Sequence, residues 1–299
     1  VSSPSFDPNI FTKPVPFKLY QSLLDSKAFL NKAISAYTPG SIWKPITAIA
    51  ALEHGVVNMN EYLKVGGSIS YAGFQFGDWT SKEAQMNLID ALEWSRNTYF
   101  YQIAKRMKAE WLTNTGSKFG AGQLTGIELL GESKGILPSP EWKRKKLKEA
   151  WFPGNTLHFS IGQSFLMLSP IQAARLISGI ANKGLLPQPH LIKNKDKESL
   201  IDIEGISEES YKIVEMGLKK CIATGTGQAS RLKGVEVAGK TGSAEVRGYD
   251  HSTHGWFAAY APAKDPEIAV VVFLEGGGHG GTVAAPVAKK IFEAYFDKQ

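Results

Sequence analysis

Three features of the 299-residue sequence predict an α+β fold. Apolar residues recur at three- and four-residue spacing through the middle, aromatic and β-branched runs follow near the end, and helical spacing returns over the last stretch. Helices and strands therefore come in runs and not in alternation, which points away from a parallel sheet of crossover units.

The first ~55 residues carry little regular pattern except one helix. Pro45 to Leu52 has an apolar helical run that Gly55 should end, and Pro45 is tolerable because the first turn has no intrahelical use for its missing N–H. Asn87 to Met107 and Pro170 to Ala181 also have helical spacing, the second opened by Ser169-Pro170. Gly120, Gly122, Gly126, Gly131 and Gly135, with Pro138 and Pro140, mark loops between them. Val235 and Val237 alternate with polar residues and read as a strand running into Gly239 and Lys240. Trp256 to Tyr260 and Ile268 to Leu274 read as two more strands, joined across Pro262, Asp265 and Pro266. A glycine-rich loop, Gly276 to Gly281, precedes a closing helix from Thr282.

Composition narrows the functional classes. With 43% apolar and 21% charged residues the chain is neither disordered nor fibrous. Its single cysteine, Cys221, closes no internal disulfide and builds no thiolate metal site, and reads as a packed residue. The longest clean apolar run, Ile268 to Leu274, falls far short of the roughly 18 residues a membrane span needs. The chain opens at Val1 without Met or leader, so it is expected to be a fragment or processed form. The net charge of +6 is concentrated at Lys143, Arg144, Lys145, Lys146 and Lys148, expected to be a solvated helix face because no nucleic-acid signature accompanies it.

Three short motifs carry chemistry. Ser41-x-x-Lys44 opens the first helix, where unpaired N–H groups and the helix dipole favour an oxyanion, and Lys44 lies one turn from Ser41 on the same face. A serine hydroxyl needs an adjacent base, and a lysine with a depressed pKa serves. Ser95-Arg96-Asn97 follows 54 positions after Ser41; residues two apart share no helix face, so both address one site only if the chain turns there. Lys240-Thr241-Gly242-Ser243 ends the Val235 strand, offering a cation and hydroxyls to a carboxylate, with Gly242 leaving room for a substrate. Each motif is common alone. Ser-x-x-Lys recurs at Ser230 and Lys233, where surrounding glycines and the lack of a helix start argue against a site.

In this order the motifs resemble the three signatures of penicillin-binding proteins and serine β-lactamases. Ser3 to Asn9 resembles the opening of a class B transpeptidase domain, and Gly154-Asn155-Thr156, Ser160 to Gln163 and Ser169 to Gln172 resemble the cell-elongation type, penicillin-binding protein 2. Thr224 to Gly227 and Gly277 to Pro286 fit the same family. Asn155 stands where Asp is usual, Ser164 where Gly is usual, and Trp43 where a small residue is commoner.

The resemblance implies the penicillin-binding protein/serine β-lactamase-like fold: a central antiparallel five-stranded sheet flanked by helices, with an inserted mostly helical subdomain. The sheet-containing part would be about 1–55 and 200–299, the helical part about 56–199. An N-terminal membrane anchor and pedestal would lie outside this chain. It also implies a peptidoglycan D,D-transpeptidase at the outer face of the cell membrane, with no cofactor and no metal. Ser41 would attack the donor stem peptide and Lys44 take its proton. The N–H groups of Ser41 and Ser243 would hold the oxyanion, and Ser95 would relay a proton to the leaving amine. Asn97 would hold the donor amide, and Lys240, Thr241 and Ser243 its carboxylate. Its partners would be peptidoglycan stem peptides, β-lactams, a glycan polymerase and a scaffold protein, and no nucleic acid. His251, His254 and His279 read as loop or rim residues.

Rival readings are a serine β-lactamase, a D,D-carboxypeptidase, a non-enzymatic β-lactam sensor, and a basic surface-binding protein with chance motifs. A class A β-lactamase needs a glutamate between the second and third motifs; Glu128, Glu132 and Glu141 lie there, but in a Gly- and Pro-rich setting that resembles the transpeptidase pattern. Asn97 counts against the sensor, which would normally carry valine at that place.

Overall fold

The computed structural model describes residues 1–193, 200–245 and 253–298. In chain order the elements are α1 (Phe17–Asp25), α2 (Lys44–Glu53), β1 (Leu63–Val65), β2 (Ser68–Tyr71), β3 (Phe74–Gly77) and β4 (Ala84–Met86). Then come α3 (Leu88–Glu93), α4 (Asn97–Ala104), α5 (Ala109–Lys118), α6 (Pro140–Leu147), α7 (Pro153–Ser160) and α8 (Pro170–Ala181). The chain continues through β5 (Leu185–Pro187), β6 (Leu200–Asp202), α9 (Glu208–Ala223), β7 (Ala238–Glu245), β8 (Thr253–Ala261), β9 (Ile268–Leu274), α10 (Gly280–Val283) and α11 (Ala285–Phe296).

β7, β8 and β9 form an antiparallel sheet in that order, with Lys240 opposite Ala258 and Ala258 opposite Val271. Successive side chains of a strand face opposite ways, and β8 divides two cores accordingly. Trp256, Ala258 and Tyr260 join the helical core around α2, α4, α8 and α9. Phe257, Ala259 and Ala261 face a smaller core closed by Ala288 and Phe292 of α11. The result is three layers, α11, sheet and helices. In α2 every residue from Lys44 to Ala51 is buried, as an all-round apolar helix requires.

The local rules hold where caps are strong. The side chains of Ser169 and Gln172 close a reciprocal capping box on α8, and Pro170 occupies its first turn. Four expectations are corrected. The sheet has three strands among the described residues, not five, because the first 37 residues supply a 3-10 turn, α1 and loops, and Tyr37 makes only an isolated bridge to Leu168. The helix expected over 87–107 breaks into α3 and α4 at Ser95. The third motif lies within β7 and not at its end, since the strand begins only at Ala238 and runs to Glu245. The basic run is not wholly solvated: Lys143 is buried and donates to Ala150 O at 2.8 Å and Asn155 Oδ1 at 3.1 Å. Asn155 thus accepts a cation's hydrogen bond without a charge of its own. Ser164 adopts φ +70°, the left-handed backbone that glycine fills without cost, which explains why a glycine suits this place.

Candidate active site

The nucleophile segment is tied to the fold at successive residues. Tyr37 bridges Leu168, Trp256 Nε1 donates to Thr38 O at 3.0 Å, and Gly40 N donates to Gly162 O at 2.9 Å. Gly40 has φ +56°, and a Cβ there would stand 2.8 Å from Ser243 O, so only glycine lets this turn lie against β7. A 3-10 turn, Gly40–Trp43, then presents half-buried Ser41 at the entrance to α2. The bulky Trp43 is wholly buried and stacks on Phe159, its ring centroid 5.6 Å away; Gly116 makes room, because any Cβ there would strike the indole.

Ser95 supplies the turn that the spacing of the second motif demanded. It takes φ +54° after α3, with Ser95 N donating to Leu92 O and Arg96 N to Ala91 O, the pairing of a Schellman cap. A serine in the left-handed region costs about 1–2 kcal/mol, strain concentrated at a candidate site. The turn directs Ser95 and Asn97 to one group. Lys44 Nζ donates to Ser95 O and to Asn97 Oδ1, each at 2.7 Å, and lies 3.3 Å from Ser95 Oγ.

On β7 the pleat separates the third motif. Ala238 and Ala244 belong to the helical core, so Lys240, in phase with them, faces that core, and Thr241 and Ser243 face the other way. Lys240 Nζ donates to Thr241 O at 3.1 Å. The Thr241 and Thr226 hydroxyls are 2.6 Å apart, and Thr226 Oγ1 lies 3.4 Å from the sulfur of buried Cys221. Ser243 Oγ accepts from Gly280 N at 3.3 Å and lies 3.3 Å from His279 Nδ1. Gly242 differs from expectation: its missing side chain admits Ile42 Cγ2 and Pro39 O, 2.9 and 3.0 Å from where a Cβ would sit, so it brings β7 onto the nucleophile turn instead of clearing a substrate path. His254 Nδ1 accepts from Gly276 N, and His251 lies outside the described residues.

Electrostatics select a role for Lys44. Burial holds its pKa well below the ordinary lysine value, Lys240 and Arg96 push it lower, and Asp78 partly opposes them. Burial also lowers Lys240. A neutral amine has two N–H bonds and one lone pair; Ser95 O and Asn97 Oδ1 take the N–H bonds, which leaves the lone pair for a hydroxyl proton. The second copy of Ser-x-x-Lys offers no such arrangement: Ser230 is buried in a 3-10 turn and donates to Gly227 O.

A family model described as the penicillin-binding protein transpeptidase domain matches residues 1–293. The chain belongs to this family. The peptidoglycan D,D-transpeptidase MrdA of Acinetobacter baumannii is 34% identical over 322 residues, covering 98% of this chain and 48% of that one. Penicillin-binding protein 2 of Pseudomonas aeruginosa, solved in complex with WCK 5153, superposes with TM-score 0.88 at 34% identity, over 99% of this chain and 70% of that one. Penicillin-binding protein 2 of Helicobacter pylori, solved in complex with MreC, gives TM-score 0.89 at 28% identity, over 99% and 57%. The chain spans about half the length of the curated relatives it matches.

Within this transpeptidase domain, motif reasoning missed the groups beneath the motifs. Arg96 Nε and Asp78 Oδ2 form a buried ion pair at 3.1 Å, and Thr226 supports Thr241. Asp78 belongs to no signature, and Arg96 occupies the variable place of the second one. Their signal is three-dimensional, because the hairpin β2–β3 brings residue 78 to residue 96.

Proposed function

We propose that this chain is the catalytic domain of a peptidoglycan D,D-transpeptidase acting in cell elongation. The observation that carries the reading is the buried Lys44 amine, held by Ser95 and Asn97 one turn from Ser41 and lowered in pKa first by burial and then by Lys240. Ser41 Oγ attacks the carbonyl between the donor's two terminal D-alanines, and Lys44 takes the hydroxyl proton. Backbone N–H groups of Ser41 and Ser243 hold the oxyanion; one such donor is typically worth about 3–4 kcal/mol of transition-state stabilisation. The C–N bond then breaks, and D-alanine leaves with a proton passed from Lys44 through Ser95. Asn97 holds the donor's amide, and Thr241 and Ser243 its terminal carboxylate at the edge of β7, with Lys240 supplying positive charge from the strand's other face. A second stem peptide's amine attacks the ester, forms the cross-link and frees Ser41. β-Lactams acylate Ser41 in place of the donor.

The three glutamates that a class A β-lactamase reading would draw on already have partners. Among the described residues Glu132 accepts from Thr125, Glu128 from Leu191 N, and Glu141 pairs with Lys145. The MreC complex of the H. pylori relative supports a scaffold partner here, and the family resemblance a glycan polymerase partner and an outer-face membrane location. Among the described residues no helix is long and apolar enough to cross a membrane.

The test is an exchange reaction: a stem peptide ending in D-Ala-D-Ala is incubated with excess labelled D-amino acid. Labelled peptide is the expected product. Exclusive release of the shortened peptide would make the chain a carboxypeptidase, and no reaction at all, with no penicillin adduct, would overturn the assignment.

A further inference from the structure

Gly77 and Asp78, at the end of β3, bind three consecutive residues of the second motif's turn. Asp78 Oδ2 accepts from Arg96 Nε at 3.1 Å, from Thr98 N at 3.0 Å and from Thr98 Oγ1 at 2.8 Å. Gly77 O accepts from Asn97 Nδ2 at 3.4 Å, which leaves Asn97 Oδ1 turned to Lys44. Arg96 is further fixed by donating from Nη2 to Gly66 O and Lys82 O, at 3.1 and 2.9 Å. The Asp78 and Arg96 side chains are 0% and 2% exposed, so the pair is a desolvated one. Such a pair adds little net stability against apolar replacements but is costly to break singly, which makes it a device for fixing geometry.

We propose that Asp78 is a positioning residue for acylation: through Arg96 and Thr98 it holds the strained Ser95–Asn97 turn against Lys44, and its carboxylate offsets the positive charge gathered there. This rests on the acylating-serine reading above. The charged groups facing Lys44 come from three places: Lys240 on β7, Arg96 before α4, and Asp78 after β3; the Phe100 ring lies 5.3 Å from its Nζ. Asp78 is the anion among them. Without it the turn loses three hydrogen bonds to one carboxylate, and Asn97 and Ser95 lose the fixed placement that an oriented proton transfer requires.

The test measures single-turnover acylation by benzylpenicillin against pH in the intact chain, for the wild type, Asp78→Asn, Arg96→Gln and the double variant. Lys44 acts as the neutral amine, so its pKa sets the acid limb of the profile. In Asp78→Asn the plateau rate should fall at least about tenfold, the scale expected of misplaced reacting groups. Its acid limb should move to lower pH, because a stabilising negative charge is gone. In Arg96→Gln the limb should move to higher pH. The double variant is electrically balanced and should restore the limb toward wild type while keeping the low plateau, a combination that a merely structural role would not give. If Asp78→Asn does not fold, the double variant carries the decision. A double variant with a wild-type plateau, or a folded Asp78→Asn with an unmoved limb and undiminished rate, would overturn the proposal. Absence of acylation in the wild type would instead overturn the acylating-serine reading.

Discussion

Lys44 is a lysine whose burial holds its pKa well below the ordinary value. It donates to Ser95 O and Asn97 Oδ1, sits in a site with two further cations, and has one carboxylate to offset them. Each neighbour therefore sets how low in pH the amine stays neutral. Burial is the largest influence and Lys240 the next. Removing the Lys240 charge takes away repulsion of protonated Lys44, so its pKa rises. In Lys240→Gln the acid limb of penicillin acylation should accordingly shift to higher pH, with a slower plateau from weaker carboxylate binding. Stopped-flow acylation between pH 5 and 9 reads both, and a limb that stays put or moves down would contradict the assignment of Lys44 as the base. Residue types and spacing single out the eight motif residues, and the structure brings Lys44, Ser95 and Asn97 of them into hydrogen-bond contact. The counter-charge at Asp78 was not legible, since nothing in the sequence says that the β2–β3 hairpin delivers the residue after it to Arg96.

At the scale of elements, the second motif shows how strain and function share a position. The helix end after α3 uses a left-handed residue, the place glycine fills most easily, yet Ser95 occupies it. The hydroxyl is retained against a backbone cost. Ser95→Gly should therefore be more stable than Ser95→Ala by about 1 kcal/mol in chemical denaturation, since both lose the hydroxyl and only glycine relieves the φ. Both should acylate slowly. An alanine variant as stable as the glycine one would show that the turn is not strained. Sequence periodicity ran straight through this break, because Leu88, Ile89, Ala91, Leu92, Tyr99, Phe100, Ile103 and Ala104 all feed one core on either side of it. The requirement that Ser95 and Asn97 reach one site foretold a turn that periodicity alone denied.

For the molecule as a whole, the site is where two cores meet. The main helical core buries α2 and sets Lys44; the sheet brings Lys240 to its face; and α10 and α11 close the far side behind Thr241 and Ser243. The α+β class, the closing helix, β8 and β9 were legible because their patterns are long and their caps and turns strong. The number of sheet strands was not, since five came from the family resemblance alone, and the first 37 residues, which show no strand alternation, form turns and α1. Nor was the depth of Gly242, whose packing on Ile42 depends on a contact about 200 positions away in sequence.

The arrangement makes one central claim, that Ser41 forms a covalent ester with Lys44 as its base. Intact-mass spectrometry after incubation with benzylpenicillin, followed over hours, tests it most directly. A single stable adduct in the wild type, absent in Ser41→Ala, is the expected result. An adduct that persists in Ser41→Ala would place the nucleophile elsewhere, and one that disappears rapidly with penicillin hydrolysis would make the chain a β-lactamase.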